Sequence, residues 1–216
     1  MREAFQDQLD SVFDDLAGIC DAVQHAVREA THALLEGDAE AAETVITADA
    51  EIDRARERVE DAAFVLLSLQ QPVAGDLRVV VSALRMVSEL ERMGDLSVHV
   101  AKIARLRVPG VAVPVELRPT IRRMGVVAED MVRQVASVII ERDVDAALEL
   151  TRDEEEMDRL RRAGFAELLG GDFAPDLESA VDVALLGRYY ERIADHAVSV
   201  ANRVVFAVTG QLPARA

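Results

Sequence analysis

Apolar residues recur every three or four positions over long stretches of this chain. In the first stretch the spacing alternates strictly between four and three, at Phe5, Leu9, Val12, Leu16, Ile19, Val23, Ala26 and Ala30. Such a heptad stripe lies on one side of an α-helix and is typical of helices that pack together at shallow angles. No segment shows the period of two that predicts a β-strand. The repeat therefore predicts an all-α fold.

Glycine and proline divide the chain into helical segments. The richest break lies at 108–119, where Pro109, Gly110, Pro114 and Pro119 fall close together. Shorter breaks follow from Gly37, Pro72, Asp143 and the Gly170-Gly171 pair. We predict six helices, over residues 2–36, 38–70, 73–107, 116–142, 143–169 and 173–209. Short breaks between long helices imply antiparallel neighbours.

An internal repeat divides the six helices into two sets of three. Residues 90–95 resemble residues 190–195 at an offset of 100, and residues 49–53 resemble residues 154–158 at an offset of 105. Order and spacing both recur, which indicates a duplication. We predict two pseudo-symmetric antiparallel three-helix bundles. The first repeat covers 1–108, a linker covers 109–115, and the second repeat covers 116–216.

The charge of the chain excludes one class of partner. It has 24 basic and 40 acidic side chains, a formal net charge of −16. Such a chain is repelled by phosphate backbones, so generic nucleic-acid binding is excluded. Hydrophobic residues make up 50% of the sequence, too many for a disordered chain. The single cysteine, Cys20, cannot form an internal disulfide.

The sequence also predicts where the protein works. No stretch approaches the roughly 20 mostly apolar residues of a membrane span. The chain starts with Met1, Arg2 and Glu3 and carries acids where a signal peptide would be apolar. We expect a soluble cytoplasmic protein.

Pairs of acidic residues four positions apart occur twice in each repeat. They are Asp49 and Asp53, Glu91 and Asp95, Glu154 and Asp158, and Glu191 and Asp195. Residues four apart share one face of a helix. In the third and sixth helices these acids continue the apolar seam. Carboxylates that face a neighbouring helix need a partner, since an unpaired buried charge costs several kcal/mol.

Two kinds of partner remain open for these carboxylates. One is arginine, because several arginines lie on the same helices and could form interhelical ion pairs. The other is a divalent or trivalent cation held by two facing acid pairs. Oxygen-only ligands favour Mg²⁺, Mn²⁺ or iron over zinc. His99 follows Asp95 by one turn and is a candidate extra ligand.

Signatures of catalysis are missing. The sequence has no Gly-rich phosphate loop, no G-x-S-x-G element and no H-E-x-x-H motif. The paired Glu-x-x-His motifs of di-iron bundles are also absent. We therefore predict a non-enzymatic protein with no catalytic residue. A carboxylate-bridged metal enzyme and a structural helical dimerisation module are the alternatives.

The repeated segments resemble one known family. Leu-Glu-Arg-Met-Gly-Asp at 90–95 and Tyr-Glu-Arg-Ile-Ala-Asp-His-Ala at 190–197 are similar to segments of the PhoU family, regulatory proteins of bacterial phosphate-transport systems. The segment Pro72-x-x-x-Asp76-Leu77-Arg78 also fits. The resemblance covers nearly the whole chain.

This resemblance implies a function. Family members are negative regulators of the phosphate-starvation response and of phosphate uptake. They link the ATPase subunit of the phosphate ABC transporter to a sensor histidine kinase. The resemblance implies membrane contact only through these partners. It leaves open whether two copies form a homodimer, and it does not identify the partner-binding residues.

The resemblance also implies metal sites. Some members bind multinuclear metal clusters through the acid pairs of each bundle. The first site would be Asp49, Asp53, Glu91 and Asp95; the second would be Glu154, Asp158, Glu191 and Asp195. The chain departs from the family in having His99 and Ser199 where Asn is frequent, and Asp153 offers another register for the upstream acid.

Overall fold

The computed structural model describes residues 2–70, 72–170 and 176–213. Six helices span these ranges: α1 Arg2–Glu36, α2 Ala39–Gln70, α3 Gly75–Arg107, α4 Arg118–Glu141, α5 Val144–Gly170 and α6 Leu177–Thr209. The predicted all-α fold is confirmed, and α1 to α5 begin and end within two residues of the predicted positions. The predicted start of the sixth helix at residue 173 lies outside the described residues.

Aspartates begin the second helix of each half. The Asp38 carboxylate accepts hydrogen bonds from the backbone N–H groups of Glu40 and Ala41, both at 3.0 Å. Asp143 does the same for Asp145 and Ala146, at 2.9 and 3.1 Å. These bonds satisfy backbone donors that the first turn of a helix leaves unpaired. The two tight turns therefore reverse the chain in the same way.

The six helices form two bundles, α1–α2–α3 and α4–α5–α6, that pack on each other. Between the bundles, α1 contacts α4 and α3 contacts α6. Positions in α1 and α2 correspond to positions 105 residues later, as the capping Asp38 and Asp143 illustrate. Gln24 donates to Glu129, the residue 105 positions later, at 3.2 Å. A pseudo-two-fold axis therefore passes close to this pair.

One continuous apolar core fills both bundles and the contact between them. Leu16, Leu90, Met93 and Ile139 are fully buried in it. Tyr190 is also buried, and its hydroxyl lies 2.8 Å from the Thr31 hydroxyl, which donates to the Val27 carbonyl at 2.7 Å. Burial raises the pKa of Tyr190 above its usual range. A polar link thus joins α1 to α6 inside the core.

Arginines of α3 tie both of its ends to α6, which runs antiparallel to it. At the start of α3, Arg78 donates to the carbonyl of Ala207 at 3.1 Å. At the end of α3, Arg107 donates to both carboxylate oxygens of Asp182, at 2.5 and 3.0 Å, and also pairs with Glu178. Asp182 is buried, and such two-point pairing fixes its geometry.

Within the described ranges, none of the six helices has the length and apolar character that crossing a membrane requires.

Replacing Gly125 by Ala should destabilise the fold, because the glycine of α4 lies directly against Thr31 of α1. A Cβ at Gly125 would lie 2.5 Å from Cγ2 and 2.7 Å from Oγ1 of Thr31, which is held by its bond to Tyr190. Overpacking of this kind costs about 1–3 kcal/mol. Urea unfolding followed by circular dichroism measures the change.

The matched control is Gly18→Ala in α1, where a Cβ would meet no atom within 4 Å. This variant should gain about 0.5–1 kcal/mol from the better helix propensity of alanine. Equal stability of the two variants would contradict the close approach of α1 and α4.

Candidate functional site

In the first half, the two acid pairs lie on facing helices. Asp49 and Asp53 belong to α2, and Glu91 and Asp95 belong to α3. The helices approach closely because α3 has glycine at position 94. A Cβ at Gly94 would lie 3.0 Å from Cδ1 of Ile52 and 3.5 Å from Oδ1 of Asp49.

The carboxylates of the first half repel one another. Burial raises the pKa of Asp49, and the charges of Asp95 and Asp53 raise it further, while Lys102 opposes the shift. Burial also raises the pKa of Glu91, with Asp95 adding to the effect and Arg56 opposing it. Among the described residues, none of the four carboxylates forms an ion pair. The seam between α2 and α3 therefore holds an excess of negative charge.

In the second half, the acid pairs again lie on facing helices, α5 and α6. Burial raises the pKa of Glu154, and Asp195 and Asp158 raise it further. Burial likewise raises the pKa of Asp195, with Glu191 adding to the effect. Each predicted set of four carboxylates is thus brought to one helix–helix seam.

The second half differs because arginine neutralises Glu191. One oxygen of this carboxylate lies 3.2 Å from Nε of Arg161, and the other accepts from Arg188 at 2.5 Å. Only 12% of the Glu191 side chain is exposed. Asp158 also pairs with Arg162, at 3.3 Å. In this half the structure contains an interhelical ion pair, one of the two kinds of partner that the sequence allowed for these carboxylates.

Two substitutions between the repeats explain the difference. Arg161 corresponds to Arg56, which bonds to Glu60 at 3.2 Å instead of to Glu91. The counterpart of Glu60 is Phe165, so Arg161 has no such neighbour and pairs with Glu191. Arg188 corresponds to Ser88, which bonds to a backbone carbonyl. The first half therefore keeps its acid pairs free of ion pairs, and the second does not.

The histidines near these sites contact the opposite half. The His99 ring stacks on Tyr189, with ring centroids 5.3 Å apart. Nδ1 of His196 lies 2.6 Å from the Glu89 carboxylate, and this hydrogen bond lowers the pKa of Glu89. Both contacts join α3 to α6. His99 therefore contributes to the seam between the halves, and a role as extra ligand stays a prediction.

The fit to a metal ion differs between the halves. Carboxylate oxygens suit Mg²⁺, Mn²⁺ or iron, and the uncompensated charge of the first half would favour a cation. Over the described residues, however, no three His, Cys, Asp or Glu side chains form a group that could hold a metal ion. The metal assignment stays a prediction, with the better donor set in the first half.

The sequence-based interpretation missed the polar residues that join the halves. Arg78, Arg107, Glu89, Asp182 and Glu178 do not belong to the repeated acid motif. Arg78 and Glu178 occupy equivalent positions of the two repeats, but they lie at opposite ends of the α3–α6 contact, where Arg78 meets Ala207 and Glu178 meets Arg107. The repeat therefore gave no signal of these partners.

The chain is similar to proteins of one known family. A family model described as the PhoU domain matches residues 16–104 and 121–204. The phosphate-specific transport system accessory protein PhoU homolog 2 of Mycobacterium tuberculosis is 43% identical over 213 residues, which cover 99% of this chain and 100% of that protein. PhoU homolog 1 of Mycobacterium leprae is also 43% identical, over 99% of this chain and 96% of its own length.

Solved structures agree with the fold. The crystal structure of PhoU from Pseudomonas aeruginosa has a TM-score of 0.88 at 26% identity and covers 96% of this chain and 100% of its own. The phosphate transport system regulatory protein PhoU from Streptococcus pneumoniae has a TM-score of 0.87 at 24% identity, which shows the fold alone. The two matched domains agree with the predicted duplication.

Neutralising Asp49 should stabilise the metal-free protein at pH 7, because its pKa is raised in the folded chain. A raised carboxyl pKa means that the charged form destabilises the fold, and this penalty disappears as the pH falls below the raised value. Asp49→Asn should gain about 0.2–0.5 kcal/mol, the size of one like-charge pair on a helix. Urea unfolding in a chelating buffer measures it, and the gain should shrink on acidification.

The control is Glu191→Gln, which should lower stability by about 0.5–1 kcal/mol because Arg161 and Arg188 lose their partner. If both variants shift stability in the same direction, the two seams do not differ in charge balance as described.

Proposed function

The chain belongs to the PhoU family, and we infer from this membership that it is a non-enzymatic accessory protein of phosphate transport. The observation that carries the proposal is the match to relatives over 99% of the chain, in which the PhoU domain occurs twice. Relatives that share 43% of its residues are named phosphate-specific transport system accessory proteins.

We further propose that the protein negatively regulates phosphate uptake and the phosphate-starvation response. It would do so in the cytoplasm by docking to the ATPase subunit of the phosphate ABC transporter and to a sensor histidine kinase. Large apolar side chains on α2, α5 and α6 are accessible to a partner: 60% of Phe64, 83% of Leu169 and 82% of Leu177 are exposed.

We also propose that metal ions have a structural role in this protein. Asp49, Asp53, Glu91 and Asp95 would hold a cation between α2 and α3 and neutralise their mutual repulsion. The ion would supply no chemistry beyond this charge compensation, which draws the two helices together. In the second half, Glu154, Asp158, Glu191 and Asp195 would have to act while arginines pair with Glu191 and Asp158.

Deletion of the gene should release both phosphate uptake and the starvation response in cells grown with abundant phosphate. The reason is that the proposed regulator restrains the transporter and the kinase under this condition. Alkaline phosphatase reporter activity and radiolabelled phosphate uptake measure the two outputs, and a plasmid copy should restore repression. Unchanged outputs in a strain without a second copy of the gene would refute the regulatory role.

Addition of Mn²⁺ should stabilise the purified protein if the first acid cluster binds it. At a metal concentration roughly 100-fold above Kd, binding to the folded state alone contributes about 2.7 kcal/mol. Thermal unfolding with and without Mn²⁺ measures this. Asp49→Asn should lose most of the response although it is more stable without metal. Elemental analysis and melting curves that show no metal effect would contradict the site.

A further inference from the structure

A groove lies between α1 and α2 in the first half, beside the acid cluster. Its volume is about 190 Å³. Small and aliphatic side chains line it, among them Ala26, Ala48 and Ile52. The carboxylates of Glu29, Asp49 and Glu51 also line it. An apolar cavity of about 150 Å³ accommodates a benzene ring, so this groove can accommodate one bulky side chain.

In the second half, larger side chains occupy the space that Ala26 and Ala48 leave free. At positions 105 residues later, Ala26 is replaced by Met131, which is fully buried. Ala48 is replaced by Asp153, which accepts a hydrogen bond from Gln134 at 2.9 Å across the gap between α4 and α5. The second half also has a groove between these helices, of about 520 Å³, but Gln134 and Asp153 form part of its polar wall. A groove lined by small and aliphatic side chains is therefore the feature of the first half.

The charge around the groove favours a basic occupant. Among the described residues, the exposed Glu51 at the rim forms no ion pair, whereas Glu29 is contacted by Arg28 at 3.2 Å and by His25 at 3.9 Å. A basic group placed at the rim would pair with Glu51.

The adjoining outward face of α2 is acidic on balance. Glu40, Glu43 and Glu51 line it together with Arg54.

We propose that the groove between α1 and α2 binds a segment of a partner protein that presents one bulky apolar side chain, with arginine or lysine about one helical turn away. The apolar side chain would enter between Ala26 and Ala48, and the basic group would pair with Glu51. Helical and extended segments both anchor in grooves through such single side chains. This inference rests on the proposed function for the existence of a protein partner, and it adds the face and the chemistry of recognition.

Selection of random peptides on the full-length protein tests the chemistry. The probe is a phage-displayed library of peptides of about 12 residues, followed by synthesis of the enriched sequence with a fluorescent label. We expect enrichment of a bulky apolar residue accompanied by arginine or lysine. Fluorescence anisotropy then measures binding, and added NaCl should weaken it. No enrichment, or an enriched motif without basic residues, would overturn the proposal.

Matched substitutions on α2 locate the site. Ala48→Met fills the groove and should weaken peptide binding by about tenfold or more. Ala50→Met changes another exposed alanine of α2, which does not line the groove, and should leave binding unchanged. Glu51→Gln should weaken binding by about threefold and reduce the effect of salt. Circular dichroism melting curves check that all three variants fold. Equal binding by the two methionine variants would overturn the assignment.

Two outcomes separate this inference from the proposed function. Regulation of phosphate uptake without groove-dependent peptide binding would refute the groove alone. Groove-dependent binding in a protein whose deletion leaves phosphate responses unchanged would refute the regulatory role alone. If Ala48→Met instead dissociates an oligomer of this chain in analytical ultracentrifugation and Ala50→Met does not, the groove is a contact between copies and the proposal is wrong.

Discussion

Helices α3 and α6 run antiparallel and bury their apolar seams against each other, and arginines of α3 tie both ends of this contact. The buried Asp182 makes the Arg107 link costly to break, because removal of the guanidinium would leave a charge inside the protein. Tyr190 extends the same seam to Thr31 on α1. The two bundles share one core as a result, so each carboxylate cluster lies at a fixed place on a rigid body.

Duplication gave this scaffold two equivalent seams, and later substitutions made them different. The first half has Glu60 to engage Arg56, so its four acids keep an uncompensated charge. The second half has Phe165 at the equivalent position, and Arg161 pairs with Glu191 instead. The same divergence appears on the outer faces, where Ala48 lines an apolar groove and the equivalent Asp153 is bonded to Gln134 in the wall of a polar one. The first half is thus the better candidate for binding, whereas two acids of the second half are already engaged by ion pairs within the protein.

Much of the fold could be predicted from the residues. The heptad stripe of α1 specified a helix and its buried side, and residues such as Leu16 and Ile19 are fully buried as that stripe requires. The breaks at glycine, proline and Asp143 placed most helix ends within two residues. The resemblance to the PhoU family also predicted which acids would meet. Ion pairing could not be predicted, because Arg56 and Arg161 occupy equivalent positions and only their neighbours on other turns decide their partners.

The sequence by itself determined the six helices, their division into two repeats and the four acid pairs, because each follows from periodicity within a short stretch of chain. The tertiary structure alone decided which partner each carboxylate has and where a groove stays open. Those outcomes depend on contacts between residues far apart in sequence, such as Arg107 with Asp182 or Gln134 with Asp153. The spacing of apolar residues determines which face of a helix is buried. Tertiary packing determines which neighbouring helix covers that face.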